Sequence, residues 1–174
     1  SRFGIKGEYD LKPDLTVFFQ YESGIDLTGQ GGNDGNGPAD SAGQFFTKTR
    51  PSYLGLSGNF GKVLIGHMPA LDQWANDYNL FADQVGDLGN LWEGSGVPGR
   101  MDNTVHYASP DFNGFNAAIT LKPEEGVDNS ANLIFKGNYT SSRLKVGLAY
   151  GSIGQGVGVT EHTVTAITTS YTFD

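Results

Sequence analysis

Apolar and polar residues alternate one for one over segments of roughly ten positions, and the pattern returns along almost the whole chain. A period of two sends successive side chains to opposite faces of an extended backbone, so the chain must form strands with one greasy and one wet face. Phe3, Ile5, Tyr9 and Leu11 share a face, and Arg2, Lys6, Glu8 and Asp10 share the other. Lys12, Pro13 and Asp14 make a tight turn. Leu15, Val17, Phe19 and Tyr21 then oppose Thr16, Gln20 and Glu22, with Phe18 as the exception, which predicts a hairpin. The theme recurs at Val63 and Ile65, at Val105 and Tyr107, and at Phe115, Ala117, Ile119 and Leu121. It recurs again at Leu133, Phe135 and Tyr139, and at Leu144, Val146, Leu148 and Tyr150, for nine candidate strands in all.

The connections alternate in length. Short ones fall at Lys12–Asp14, Asn59–Gly61, Asp111–Gly114 and Ser141–Ser142; long ones at Ile25–Gly43, Pro69–Arg100, Pro123–Ser130 and Ile153–Glu161. A transmembrane β-barrel has short turns at one rim and long loops at the other, whereas a soluble sandwich has no such requirement. Charges stand mid-strand on the polar face (Lys6, Glu8, Lys136, Lys145), where a dry core would penalise them and a water-filled lumen would not. The apolar face is therefore expected to meet lipid. Composition agrees. No apolar run approaches the roughly 20 residues of a membrane helix, so any crossing of a bilayer must use strands. The chain has no Cys, which removes disulfides and thiolate metal sites, and a net charge of −8 argues against nucleic acid as a partner. Ser1 opens directly on a strand-like segment, so the numbering is expected to begin inside a mature chain.

Four stretches carry a resemblance: SRFGIKGEYDL (Ser1–Leu11), TVFFQYESG (Thr16–Gly24), RPSYLGLSGNFGKVLIGHM (Arg50–Met68) and RMDNTVHYASPDFNGF (Arg100–Phe115). Together, in order and spacing, they resemble consecutive hairpins of the Gram-negative general porins of the neisserial and Burkholderia type, over nearly the whole chain and weakening after Lys122. The resemblance implies an all-β antiparallel transmembrane barrel of about sixteen strands. Residues 1–174 would form a partial barrel domain matching the second to tenth of them. It further implies a homotrimer in the outer membrane, in contact with lipid and lipopolysaccharide, that passes small hydrophilic solutes and ions by passive diffusion, without cofactor or catalysis. Two departures are His67 and His106, where the family commonly has Arg. A third is Pro51, inside a strand. Lys48 and Arg50 share a parity with Leu54 and Leu56, so a bulge near Pro51 is expected unless Lys48 and Arg50 lie above the membrane.

The connection 69–100 is the most distinctive segment. Leu71, Trp74, Ala75 and Tyr78 have helical spacing, Leu88, Leu91 and Trp92 extend the apolar content, and Asp72, Asp77, Asp83, Asp87 and Glu93 supply carboxylates. Such aromatics are not expected to wave in solvent. The segment resembles the family's constriction loop, with Leu71, Trp74, Tyr78 and Trp92 as its anchors; a cap over the mouth or a contact with a neighbouring subunit is the alternative. By the same resemblance Arg2, Lys6, Arg50 and Arg100, with His67 and His106, form a basic cluster facing the acidic loop, giving a weak anion preference that strengthens as those His gain protons.

The remaining signals are weak. Asp34, Asn36 and Asp40 loosely suggest a calcium loop but lack its terminal Glu. The three His have no zinc-site spacing, and there is no GxSxG nucleophile motif, so no metal and no enzyme is expected. The rival reading is a soluble β-sandwich carbohydrate-binding module; a barrel enzyme would need a catalytic constellation that these residues do not supply.

Overall fold

The computed structural model describes residues 2–25, 46–47, 50–70, 81, 84–88, 90, 94–124, 126, 128, 130–154 and 162–173, with 46–47 described by backbone alone. The strands are β1 (Arg2–Lys12), β2 (Leu15–Ile25), the two-residue β3 (Phe46–Thr47), β4 (Ser52–Gly58), β5 (Gly61–Pro69), β6 (Arg100–Ala108), β7 (Phe115–Lys122), β8 (Asn132–Thr140), β9 (Leu144–Ile153) and β10 (His162–Tyr171). All lie in one antiparallel sheet in the order β1-β2-β4-β5-β6-β7-β8-β9-β10, with β3 as a short partner of β2. Among the described residues no second sheet packs on it, which removes the sandwich reading. The nine long strands are those expected from the alternation.

Local chemistry sets the short turns. Asn113 (φ 55°) and Gly114 (φ 90°) take the left-handed conformation that Asn and Gly tolerate, and the Gly114 amide donates to Asp111 Oδ1 at 2.9 Å. At Gly61 (φ 102°) a Cβ would stand 2.2 Å from the Ala108 carbonyl oxygen, so the β4–β5 turn needs glycine.

Two irregularities interrupt the ladder, and only the second switches faces. The ladder pairs Gly24 with Thr47 and Tyr21 with Ser52, so three steps on β2 match five on the other side. The break at Pro51 therefore holds two extra residues instead of the single one expected, and the Pro51 carbonyl still accepts from the Glu22 amide at 3.0 Å. A second bulge, between Gly66–Thr104 and Met68–Met101, puts one extra residue on β6, with Asn103 at φ 54°. Nothing in the alternation announces this one.

The register assigns one face to Phe3, Ile5, Tyr9, Phe19, Tyr21, Leu54, Leu56, Ile65, Val105, Ile119, Leu133, Phe135, Leu148, Tyr150 and Ile167, all of them exposed. This is the apolar outer face of a membrane barrel strand set. The inner face carries the polar and small residues. Phe18, the exception, also points inward because Gly55 lies directly across from it: a Cβ there would come within 2.3 Å of Phe18 Cζ.

Candidate functional site

The 69–100 connection begins by closing on itself, since the Ala70 amide donates to the Gly99 carbonyl at 3.1 Å. From that root it runs along the inner face. Ala70 and Val97 are buried in one cluster with Met101 of β6, Ile134 of β8, Ala149 and Ile153 of β9 and Ala166 of β10, and Leu88 and Val164 pack against it. Lys136 Nζ of β8 lies 3.4 Å from the Ala70 carbonyl oxygen, and His162 at the head of β10 hydrogen-bonds the Ser95 carbonyl. The described part of the loop thus crosses the inner face from β5 and β6 to β10 instead of rising above the rim. Small side chains make this possible: Ala118, Ala149 and Ala166 form a continuous row with Lys136, strand by strand, leaving a shelf on which the loop lies. Of the loop residues singled out in sequence, Asp87 is half-buried in a turn, while Leu71, Asp72, Trp74, Asp77, Tyr78, Asp83, Trp92 and Glu93 lie outside the described residues, as do Asp34, Asn36 and Asp40. Among the described residues no three His, Asp or Glu gather as a metal site.

The inner face of β1–β5 is different. Lys6, Glu8, Gln20, Tyr53, Ser57 and Lys62 line an open groove there, with Phe18 standing between. Tyr53 Oη donates to Gln20 Oε1 at 3.0 Å and meets the Phe18 ring edge-on, centroids 6.3 Å apart. Arg2 takes an inner register position opposite Gly24, and Arg50, in the break, places Nε 3.9 Å from Glu22 Oε1. Carboxylates are interleaved with the cations: Asp10 accepts from Thr16 Oγ1 at 2.6 Å on the same face. His106 is inner too, with Nδ1 2.7 Å from Thr120 Oγ1. Two expected members of the basic cluster do not join it. His67 shares the outer parity of Ile65, with Nδ1 2.6 Å from Asp102 Oδ1, and Arg100 pairs with Pro69 on the parity opposite to inward Met68 and Met101. For Arg100 the β6 bulge is the reason, since it shifts every β6 residue before it by one position relative to His106, whereas His67 faces outward simply because it continues the parity of Val63 and Ile65 on β5.

With the sheet, the loop and the two walls in place, comparison with known proteins is decisive: a Gram-negative porin family model matches residues 1–174. The chain belongs to the Gram-negative porin family. Outer membrane porin protein 32 of Delftia acidovorans is 34% identical over 127 residues, covering 68% of this chain and 33% of that protein. Major outer membrane protein P.IB of Neisseria gonorrhoeae is 29% identical over 146 residues, covering 82% of this chain and 38% of that protein. Among solved structures, an anion-selective porin from Comamonas acidovorans superposes with a TM-score of 0.68 at 24% identity, over 98% of this chain and 53% of that one. This porin chain therefore spans well under two thirds of the curated relatives' length, and the relatives are named outer membrane proteins, the location of the family.

Two inner-face residues of the porin chain were not singled out as site residues in sequence. Lys62, exposed, sits opposite Ser57 and Ala108 beside the Lys6 groove. Its parity against Val63 and Ile65 carried that signal. The alternation places Lys136 in lumen water, but it is only 8% exposed because the loop covers it. That depends on a contact between residues 66 apart, which alternation does not encode.

Proposed function

We propose that the parent barrel is an outer-membrane channel for passive diffusion of small hydrophilic solutes and ions, without catalysis, with its narrowest part between the 69–100 loop and the inner wall of β1–β5. One observation carries this reading: Ala70 and Val97 of the loop are buried against β8–β10 on the inner face, with Leu88 packed beside them, across the sheet from the wet, charged strands. Arg2, Lys6, Arg50 and Lys62 then supply positive potential on the open wall, and the loop carboxylates Asp72, Asp77, Asp83, Asp87 and Glu93 supply the opposing charge. A weak anion preference follows where fixed guanidinium and ammonium groups dominate, and the anion-selective Comamonas relative supports it. The outer face meets lipid and, at the loop rim, lipopolysaccharide, and the barrel assembles as a homotrimer. Planar-bilayer recording of the intact parent protein in a KCl gradient tests this. Stepwise channels with a reversal potential on the anion side are expected; absence of channels, or clear cation selectivity at neutral pH, overturns it.

A further inference from the structure

Lys136 stands in an unusual place. The inner-face row that crosses β6 to β10 reads Ala108, Ala118, Lys136, Ala149, Ala166, so one long cationic side chain rises from a floor of alanine. Along this row the alanines give the loop surface to bury against but no feature to fix where its first residues lie, because one methyl group is much like the next; Ile134, Ile153 and the His162 hydrogen bond to the Ser95 carbonyl hold it elsewhere. The ammonium breaks that degeneracy. Nine-tenths buried, it must keep oxygen partners, and the carbonyl of Ala70, the loop's first residue, is one of them at 3.4 Å. If the loop slid along the shelf, the cation would lose that carbonyl or be sealed under apolar loop residues such as Val97 and Leu88. We infer that Lys136 is a positioning residue: a peg that sets the register of the loop on the inner wall, and with it the size of the aperture, while contributing little to the field felt by permeating ions. This rests on the channel reading. It is a role in specificity of position more than in stability, since a buried cation can be replaced by an apolar side chain at little cost in folding.

The test uses the intact parent barrel in planar bilayers, with heat-modifiable gel mobility to verify assembly. Lys136→Ala extends the alanine floor without interruption and is expected to lose the single conductance level, giving several levels or increased open-channel noise, with the reversal potential unmoved. Lys136→Arg, which keeps a buried donor, is expected to restore one level. Should Lys136→Ala fail to assemble, Lys136→Met keeps the stem and removes the ammonium, and the same loss of a single level is expected. A single wild-type level in Lys136→Ala or Lys136→Met overturns the inference, and so does a shift in reversal potential without change in level, which would make Lys136 a pore charge. Wild-type channels in the same recording keep the channel reading standing in either case.

Discussion

The inner face of this sheet is two surfaces. Along β1–β5 it is bare, charged and wet, with Lys6, Glu8 and Lys62 exposed around a groove. Along β8–β10 it is built of Ile134, Ala149, Gly151, Ile153 and Ala166 and is covered by the loop. Both come from the same alternation of side chains, so the difference lies in which small or charged residues occupy the inward positions. Alanine and glycine on one stretch let a loop approach the backbone; lysine and glutamate on the other keep it away. The loop leans on the wall that can bury it, and the open path is left beside the wall that cannot.

The largest effect is expected from denying the two walls each other. In the described sheet β1 and β10 each pair on one side only, and unpaired backbone groups in lipid cost several kcal/mol apiece. Residues 1–174 expressed alone are expected to form no bilayer-spanning channels, whereas the parent protein does. Stable channels from this segment by itself would mean that closure does not need the remainder of the barrel.

Next in size is a carboxylate placed under the loop compared with one on the bare wall. Val97 is 2% exposed, and Val97→Asp sets an ionised group in the apolar cluster, on the order of 3 kcal/mol against the docked loop. The loop can relieve this by lifting off. Single-channel conductance and the largest sugar that permeates should both rise in Val97→Asp, while Ser57→Asp on the β4 wall should leave the exclusion limit alone. Equal changes in the two variants would erase the distinction between the walls.

A smaller, graded effect concerns ions. Lys6→Ala with Lys62→Ala removes two exposed cations from the open wall and is expected to move the reversal potential toward cations. Because the screening length shrinks from about 10 Å at 0.1 M to about 3 Å at 1 M salt, the shift should fade in concentrated KCl. A shift independent of salt would place the selecting charges elsewhere.

Much of this was legible in sequence because alternation is local. Strand number, the long and short connections and the apolar outer face follow from the parity of neighbours such as Phe3, Ile5 and Tyr9. An irregularity at Pro51 was legible as a conflict between Arg50 and Leu54, but the one-residue slip that conflict asked for does not occur: the break holds two extra residues, an even number that leaves the parity on its two sides unchanged. Arg100 faces away from the inner wall because of the β6 bulge at Asn103, which leaves no trace in alternation until the partner strand is known; the outward side of His67 was legible in its parity with Val63 and Ile65, and only the family resemblance set it in the basic cluster. Lys136 shows the other limit. Its face was readable, but its burial was not, because the loop that covers it docks through contacts distant in sequence.

The smallest expected effect asks whether the bare wall is soft. Phe18 turns inward across from Gly55, and a Cβ at Gly55 would fall 2.3 Å from Phe18 Cζ. That atom is the tip of a ring bordering the open groove, so the ring can swing away and give up its edge contact with Tyr53, a loss of about 1 kcal/mol. At Gly61 the obstacle is the Ala108 carbonyl oxygen at 2.2 Å, with φ at 102°, and neither can move without opening the β5–β6 ladder. Gly55→Ala should therefore lower the temperature at which the folded barrel loses its gel mobility only slightly, and Gly61→Ala should lower it more. Adding Phe18→Leu should remove the Gly55→Ala penalty, because the clashing Cζ is gone. If Gly55→Ala costs as much as Gly61→Ala, the Phe18 ring has nowhere to go, and the β1–β5 wall is as tightly packed as the one beneath the loop.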